Sequence, residues 1–329
     1  MRTAKIYRYA LPMDSGVILR EQRLTERVGF IVELSEGDKF GRGEIAPLPG
    51  FSSETEEEAY AQLVEQASLW VKGEQVDDTS WYPSVAFGLS MAKLELENGL
   101  PQAGNYQAAP LCSGDPDELL PKLANMSGEK VAKVKVGLYE AIRDGLTVSL
   151  FLESIPDLTL RLDANRVWSA EKAQEFAKHV APSLRQRISF IEEPCQVPGD
   201  SFSFAIDTGI AIAWDETLQH AVRNPDFRLE DLTGAKAIII KPTLIGSVQR
   251  CQELVKSAAN LGIKVVISSA IESSLGLTQL ARMAQWLTPE TVPGLDTISL
   301  FAEQLEVPWP TSDLPIRSLS EQSLIWQEL

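Results

Sequence analysis

The sequence predicts an α/β fold in which a (β/α) barrel follows a smaller α+β domain. Three observations carry this expectation. After Asn105, short runs rich in β-branched residues alternate with helical stretches, repeating about every 25 to 30 residues, the length of a βα unit. The first hundred residues lack that rhythm. At 329 residues, the chain is long enough for a barrel and a companion domain. A doubly wound parallel sheet is the alternative.

In the N-terminal part, Ala4 to Tyr9 holds the strand formers Ile6, Tyr7 and Tyr9, and Gly29 to Leu34 is a mostly apolar run. Glu36-Gly37-Asp38 has hairpin-turn chemistry. Gly41-Arg42-Gly43-Glu44 reads as a turn; it lacks the full phosphate-loop pattern and a following helix. A loop follows, Ile45 to Phe51, rich in Pro and Gly. Ser53 then offers an N-cap for a helix running to about Lys72, with Glu54–Glu58 as its solvated acidic start. A second helix is expected near Ser84 to Glu97.

The barrel strands are expected at Ala108–Cys112, Val131–Val136, Leu158–Leu162, Ile188–Ile191, Ile210–Ala213, Ala237–Ile240, Val265–Ile267 and Asp296–Ser299. Glu171–His179, Gln249–Asn260 and Leu275–Trp286 fit as helices between them. The domain boundaries follow: 1–100 as the α+β domain, 101–300 as the barrel, and the tail 301–329 returning to the first domain.

Composition narrows the function. With 44% hydrophobic and 23% charged residues, the chain can bury a sizeable core. A net charge of −16 argues against a nucleic-acid partner and against an anionic membrane surface. Cys112, Cys195 and Cys251 are scattered and lack CxxC spacing, as reduced thiols of a cytoplasmic protein are. No apolar signal region and no membrane-spanning stretch is evident. His179 and His220 lack metalloprotease spacing and read as structural, and Trp214 reads as packing.

The chemistry lies at the strand tips, where barrel enzymes place their sites. They carry Lys133 and Lys135, then Asp163 with Asn165, then Glu192, Asp215, Lys241, and Ser268 with Ser269. Strand alternation puts Lys133 and Lys135 on one face, and Arg161, Asp163 and Asn165 on one face of the next strand. Asp163, Glu192 and Asp215 come from three consecutive strands. Converging carboxylates repel unless a cation neutralises them, and all-oxygen ligands select a hard ion, Mg²⁺ before Zn²⁺. Any one of these acids could instead cap its following helix. Lys241, roughly opposite Lys133 and Lys135 in a ring of eight strands, would flank the metal. A metal next to lysines suits abstraction of a proton α to a carboxylate, with a neutral lysine as base.

At these residues the chain resembles the enolase superfamily, in its muconate-lactonizing branch, and more narrowly the o-succinylbenzoate synthase family. The resemblance rests on Lys133-Val134-Lys135, Asp163-Ala164-Asn165, Glu192-Glu193-Pro194, Trp214-Asp215-Glu216, Lys241-Pro242 and Ser268 to Ser274. Gly294-Leu295-Asp296 and Pro47 to Phe51 add to it. It implies a (β/α)7β modified TIM barrel with an N-terminal capping domain. It implies a Mg²⁺ cofactor, with Mn²⁺ as a substitute, held by Asp163, Glu192 and Asp215. Lys135 would act as base and then acid, and Lys241 would stabilise the enolate-like charge. Lys133 would tune Lys135, and Arg161 and Asn165 would support the metal ligands. Ser268, Ser269 and Gly294 would line the substrate end, and loops Ser15–Arg23 and Pro47–Ser52 would exclude water.

The implied reaction is the loss of water from 2-succinyl-6-hydroxy-2,4-cyclohexadiene-1-carboxylate to give 2-succinylbenzoate, a step of menaquinone biosynthesis. The partner is then a small-molecule carboxylate, with no obligatory protein partner. Two alternatives stand beside it. An N-acylamino acid racemase or dipeptide epimerase of the same superfamily would use Lys135 and Lys241 as bases on two faces. A non-catalytic metal- or ligand-binding barrel would keep binding without Lys135.

Overall fold

The computed structural model describes residues 1–14, 18–19, 22–74, 80–232 and 234–329. The expected capping loop Ser15–Arg23 therefore lies largely outside the described residues. Contacts divide the chain into two compact units. One comprises Met1–Tyr106, Ile240–Lys256 and Ile267–Leu329, the other Gln107–Ile239 and Ser257–Val266. The segment expected as barrel, 101–300, is thus shared between them.

The first unit is built on a four-stranded antiparallel sheet, in the order Ser323–Glu328, Arg2–Pro12, Glu26–Glu36, Lys39–Ile45. Strand period two serves two cores at once. Ala4, Ile6, Phe30, Val32 and Leu34 pack with helices Glu56–Val71 and Pro83–Leu96, whereas Tyr9, Leu11 and Ile31 pack with Leu48, Ala270, Ile271 and Leu275. The tail closes the sheet edge, with Ala4 opposite Glu328 and Arg8 opposite Ser323.

Three local expectations are corrected here. Gly41 and Gly43 lie inside strand Lys39–Ile45 rather than in a turn. Helix Pro83–Leu96 runs against their backbone: a Cβ on Gly41 would stand 2.1 Å from the Ala92 carbonyl oxygen, and one on Gly43 1.8 Å from that of Gly88. The glycines permit close approach, not chain reversal. The reversal is at Gly37, with φ of 66°, between the paired residues Glu36 and Lys39. The first helix is capped by Thr55, not Ser53. Its hydroxyl accepts from the Glu58 amide while Glu58 accepts from the Thr55 amide. Glu54 is not solvated: it is buried and accepts from the Ser84 amide (3.1 Å) and hydroxyl (2.5 Å).

The second unit carries most of a seven-stranded parallel sheet. Its strands are Leu111–Cys112, Val131–Lys135, Thr159–Asp163, Ile188–Glu192, Ile212–Trp214, Ala237–Ile240 and Lys264–Ile267, each beside the next in chain order. Consecutive order without reversal is that of a barrel wall; a doubly wound sheet would reverse direction at a switch point. Phe190, Ala213, Ala237, Ile239 and Val266 form an apolar cluster from alternate positions of these strands. The expected last strand at Asp296–Ser299 is absent among the described residues. The ladder is cut to one parallel bridge, Ser268 with Gly294, and a 3₁₀ turn Ile298–Leu300 follows. Pro293, just before that bridge, has no amide hydrogen to extend it.

Candidate active site

In the second unit the strand registers place the charged tips side by side. Lys133 pairs with Arg161 and Lys135 with Asp163; Asp163 pairs with Glu192, and Glu192 with Ala213, two residues before Asp215. Ala132 and Val134 are buried, while Lys133 is half-buried and Lys135 exposed. The Lys133 ammonium lies 3.0 Å from Asp163 Oδ2 and 2.7 Å from Glu192 Oε2. Burial works against its charge, but Asp163, Glu192 and Asp215 outweigh that and hold it well above the usual lysine range. Lys133 therefore stays an ammonium, unsuited to act as a base. Arg161 is buried beneath this layer, its guanidinium 5.7 Å from the Phe190 ring centroid.

The loops beyond the tips are held in unusual backbone conformations. Asn165, Arg166 and Glu193 have φ of 46°, 59° and 29°. The Asn165 amide donates to Asp163 Oδ1 (3.0 Å), so Asn165 orients that carboxylate through its backbone. Glu193, given no separate role by the sequence motif that contains it, brackets the next tip. It accepts from the amides of Asp215 (2.9 Å) and Thr217 (2.7 Å) and from the Thr217 hydroxyl (2.8 Å), with Arg166 Nε at 3.4 Å. Asp215 itself accepts from Gln219 Nε2 at 2.6 Å.

These groups fit a hard cation by donor chemistry. Three carboxylates stand on consecutive tips, and two of them already gather a positive charge. Among the described residues no three His, Cys, Asp or Glu side chains form a ready-made metal cage. Asp163 and Glu192 converge on the Lys133 ammonium instead.

The remaining expected residues belong to the first unit. Lys241 opens the short helix Pro242–Ile245, its carbonyl accepting from the Leu244 amide at 2.8 Å. The Ser268 hydroxyl donates to the Gly294 carbonyl (3.0 Å); a Cβ on Gly294 would stand 2.6 Å from that hydroxyl and would displace it. The Ser269 hydroxyl donates to Glu272 Oε2 (2.7 Å) and accepts from the Ile271 amide and the Thr297 hydroxyl, both at 2.9 Å. Buried Arg27 donates to the carbonyls of Ala46 and Pro47, both at 2.7 Å, and of Ile271 at 2.8 Å. Buried Glu44 accepts from the Tyr9 hydroxyl (2.5 Å), the Ser273 amide and hydroxyl (2.9 and 2.6 Å) and the Gly276 amide (3.0 Å). Sequence reasoning missed Arg27, Glu44 and Glu272 as organising residues. Nothing in their local sequence marked them: Thr25 and Glu26 precede Arg27, Arg42 lies near Glu44, and Ser273 and Ser274 follow Glu272.

Two family models match the chain, MenC N-terminal domain over residues 1–96 and enolase C-terminal domain-like over residues 118–309. An o-succinylbenzoate synthase of Vibrio cholerae serotype O1 (strain M66-2) is 65% identical over 327 residues, covering 99% of this chain and 98% of the relative. The chain belongs to the o-succinylbenzoate synthase family. Another member, from Aliivibrio fischeri (strain MJ11), is 59% identical over 99% of this chain and all of its own length (100%). Family membership establishes the (β/α)7β modified barrel with its N-terminal domain. Solved structures agree in fold. The o-succinylbenzoate synthase of Thermosynechococcus elongatus BP-1, with Mg in its active site, aligns at a TM-score of 0.72 and 22% identity, covering 91% of this chain and 93% of that one. The L-Ala-D/L-Glu epimerase of Bacillus subtilis aligns at 0.72 and 18% identity, covering 91% and 90%.

Proposed function

We propose that this chain is a divalent-metal-dependent o-succinylbenzoate synthase acting on a small-molecule carboxylate. It converts 2-succinyl-6-hydroxy-2,4-cyclohexadiene-1-carboxylate into 2-succinylbenzoate and water, and is a hydro-lyase of menaquinone biosynthesis. The observation that supports this best is the register that sets Lys135 beside Asp163 and Asp163 beside Glu192, with Lys133 bonded to both acids. The relatives add to it by their near-full-length match.

In this reading Asp163, Glu192 and Asp215 hold Mg²⁺, with Mn²⁺ able to replace it. When bound, the ion neutralises the negative charge that builds on the substrate carboxylate as the α-proton leaves. The other work falls to the chain's own residues. Lys135 Nζ takes the proton from the ring carbon bearing the carboxylate. The electron pair left behind expels the hydroxyl from the adjacent carbon, and Lys135 returns its proton to that oxygen, releasing water. One residue serving both transfers requires syn elimination. Aromatisation of the ring drives the step. Lys133, held charged by its acids, keeps those acids in place. Lys241 remains an ammonium and balances enolate-like charge. Ser268 and the Gly294 backbone receive the succinyl end, and Arg161 supports the metal-binding acids from below. The residues 47–52 help exclude water. We assign the enzyme to the cytoplasm, where its three buried cysteines would remain reduced thiols.

The direct test is to supply the purified chain with Mg²⁺ and the cyclohexadiene substrate and follow the ultraviolet change as the aromatic product forms. Chelation should abolish the signal and added Mg²⁺ restore it. Deuterium exchange at an amino acid α-carbon, without aromatic product, would make the chain a racemase or epimerase instead.

A further inference from the structure

Ser269 has the residue type of a substrate contact, yet its hydroxyl has nothing left to offer. A serine hydroxyl donates one hydrogen bond and accepts two. All three are spent, on Glu272 Oε2, the Ile271 amide and the Thr297 hydroxyl. What those bonds hold is a turn that would not form unaided. Ile271, a β-branched residue, sits at φ of 61°, in the left-handed region such side chains avoid. Glu272, fully buried, clasps the turn from inside: the same Oε2 also accepts from the Ala270 amide at 2.7 Å. Its Oε1 has no hydrogen-bond partner among the described residues, so the carboxyl is retained at the cost of a buried polar atom. Arg27 clasps the turn from the other side. It holds the Ile271 and Ala270 carbonyls at 2.8 and 3.3 Å together with those of Ala46 and Pro47. The turn continues directly from Ser268, whose hydroxyl is bonded to the Gly294 carbonyl.

We propose that Ser269, Glu272 and Arg27 form a positioning clasp: they do not touch substrate, but hold the strained 269–271 turn. The turn sets the Ser268–Gly294 pair on one side and the residue 46–47 loop on the other. This deepens the o-succinylbenzoate synthase reading and rests on it for the substrate. The clasp controls how well the succinyl end is seated, so its loss acts on substrate binding and leaves proton transfer at Lys135 nearly untouched.

A double-mutant cycle on the full chain with Mg²⁺ tests this. Ser269→Ala and Glu272→Ala should each raise KM about tenfold, with kcat within about threefold of the parent. The double variant should be no worse than either single one, because both break the same clasp. Glu272→Gln keeps an acceptor oxygen and should restore KM to within about threefold of the parent. Amide hydrogen exchange over residues 268–273 should rise in both alanine variants and return towards the parent rate in Glu272→Gln; this readout needs no turnover. Additive losses in KM would overturn the clasp and make Ser269 a direct contact. Unchanged KM and exchange in Glu272→Ala would overturn it too, as would a Gln variant no better than the Ala one. If Glu272→Ala does not fold, Ser269→Ala and Glu272→Gln decide by the same KM and exchange criteria. A parent protein that makes no aromatic product while the exchange pattern holds would sink the functional reading and spare the clasp as a structural device.

Discussion

The strand tips of the second unit and the clasped turn of the first solve the same problem, holding buried charge in a fixed place, by opposite means. At the tips, like charges crowd together and are reconciled by opposite charge: Asp163 and Glu192 meet on the Lys133 ammonium. At the turn, the charged groups are wrapped mainly by hydrogen bonds to neutral groups. Arg27 is surrounded by carbonyl oxygens, and Glu44 by amides and hydroxyls. The first arrangement leaves a cluster whose balance changes when a proton or a cation arrives. In the second, Arg27 and Glu44 already have their partners within the chain. On the proposed reading, chemistry belongs to the first kind of site and scaffolding to the second.

The contrast breaks most sharply if the tips do not carry turnover. Lys135→Ala should lower kcat by about a thousandfold or more, while circular dichroism and melting stay near the parent. Retention of parental kcat would remove the base from this face of the sheet. Glu192→Gln comes next. If Glu192 shares the proposed Mg²⁺, this change removes one of its carboxylates, and Mg²⁺ affinity read by titration calorimetry should fall about 100-fold. Burial in the scaffold can be probed by packing instead. Gly43→Ala forces helix Pro83–Leu96 away from its strand, since the new methyl would stand 1.8 Å from the Gly88 carbonyl oxygen, and should cost about 3 kcal/mol in denaturant unfolding.

The smallest expected effect is one of pH. Burial pushes the Glu272 carboxyl up to about 7, against its bond from Ser269; Glu44 adds to the shift and Arg27 opposes it. A carboxyl whose folded value lies above its unfolded value favours the folded state at low pH. That contribution is fully present below about 4.5 and is lost as pH rises through about 7. Between pH 5 and 8 the parent should therefore lose roughly 1–3 kcal/mol from this group, and Glu272→Gln should flatten that slope. An unchanged slope would place the titration elsewhere.

The two regions also differed in how far they could be read from residues alone. Lys133, Lys135, Asp163, Glu192 and Asp215 stood out because each interrupts or ends an apolar run of a regular βα repeat. Parallel pairing of consecutive strands then brings such residues together without further information. The clasp gave no such sign. Arg27 reaches the Ile271 carbonyl across 244 residues and Glu44 reaches Ser273 across 229, and no local periodicity encodes a meeting at that distance. Gly41 and Gly43 misled for a related reason. Glycine permits both a reversal and a close approach, and the helix that decides between them lies some fifty residues downstream. The eighth strand failed because the chain turns at that run: the Thr297 amide bonds back to the Leu295 carbonyl at 2.9 Å and a 3₁₀ turn follows.

The pairing of Ala4 with Glu328 has a use beyond closing a sheet edge. It joins residues 4 and 328 in one ladder, so the sheet of the first unit cannot be completed from the first hundred residues alone. It also sets an order of events on the ribosome. The antiparallel sheet lacks its outermost member until residues 323–328 have emerged, long after the parallel strands that carry the acids have left the exit tunnel.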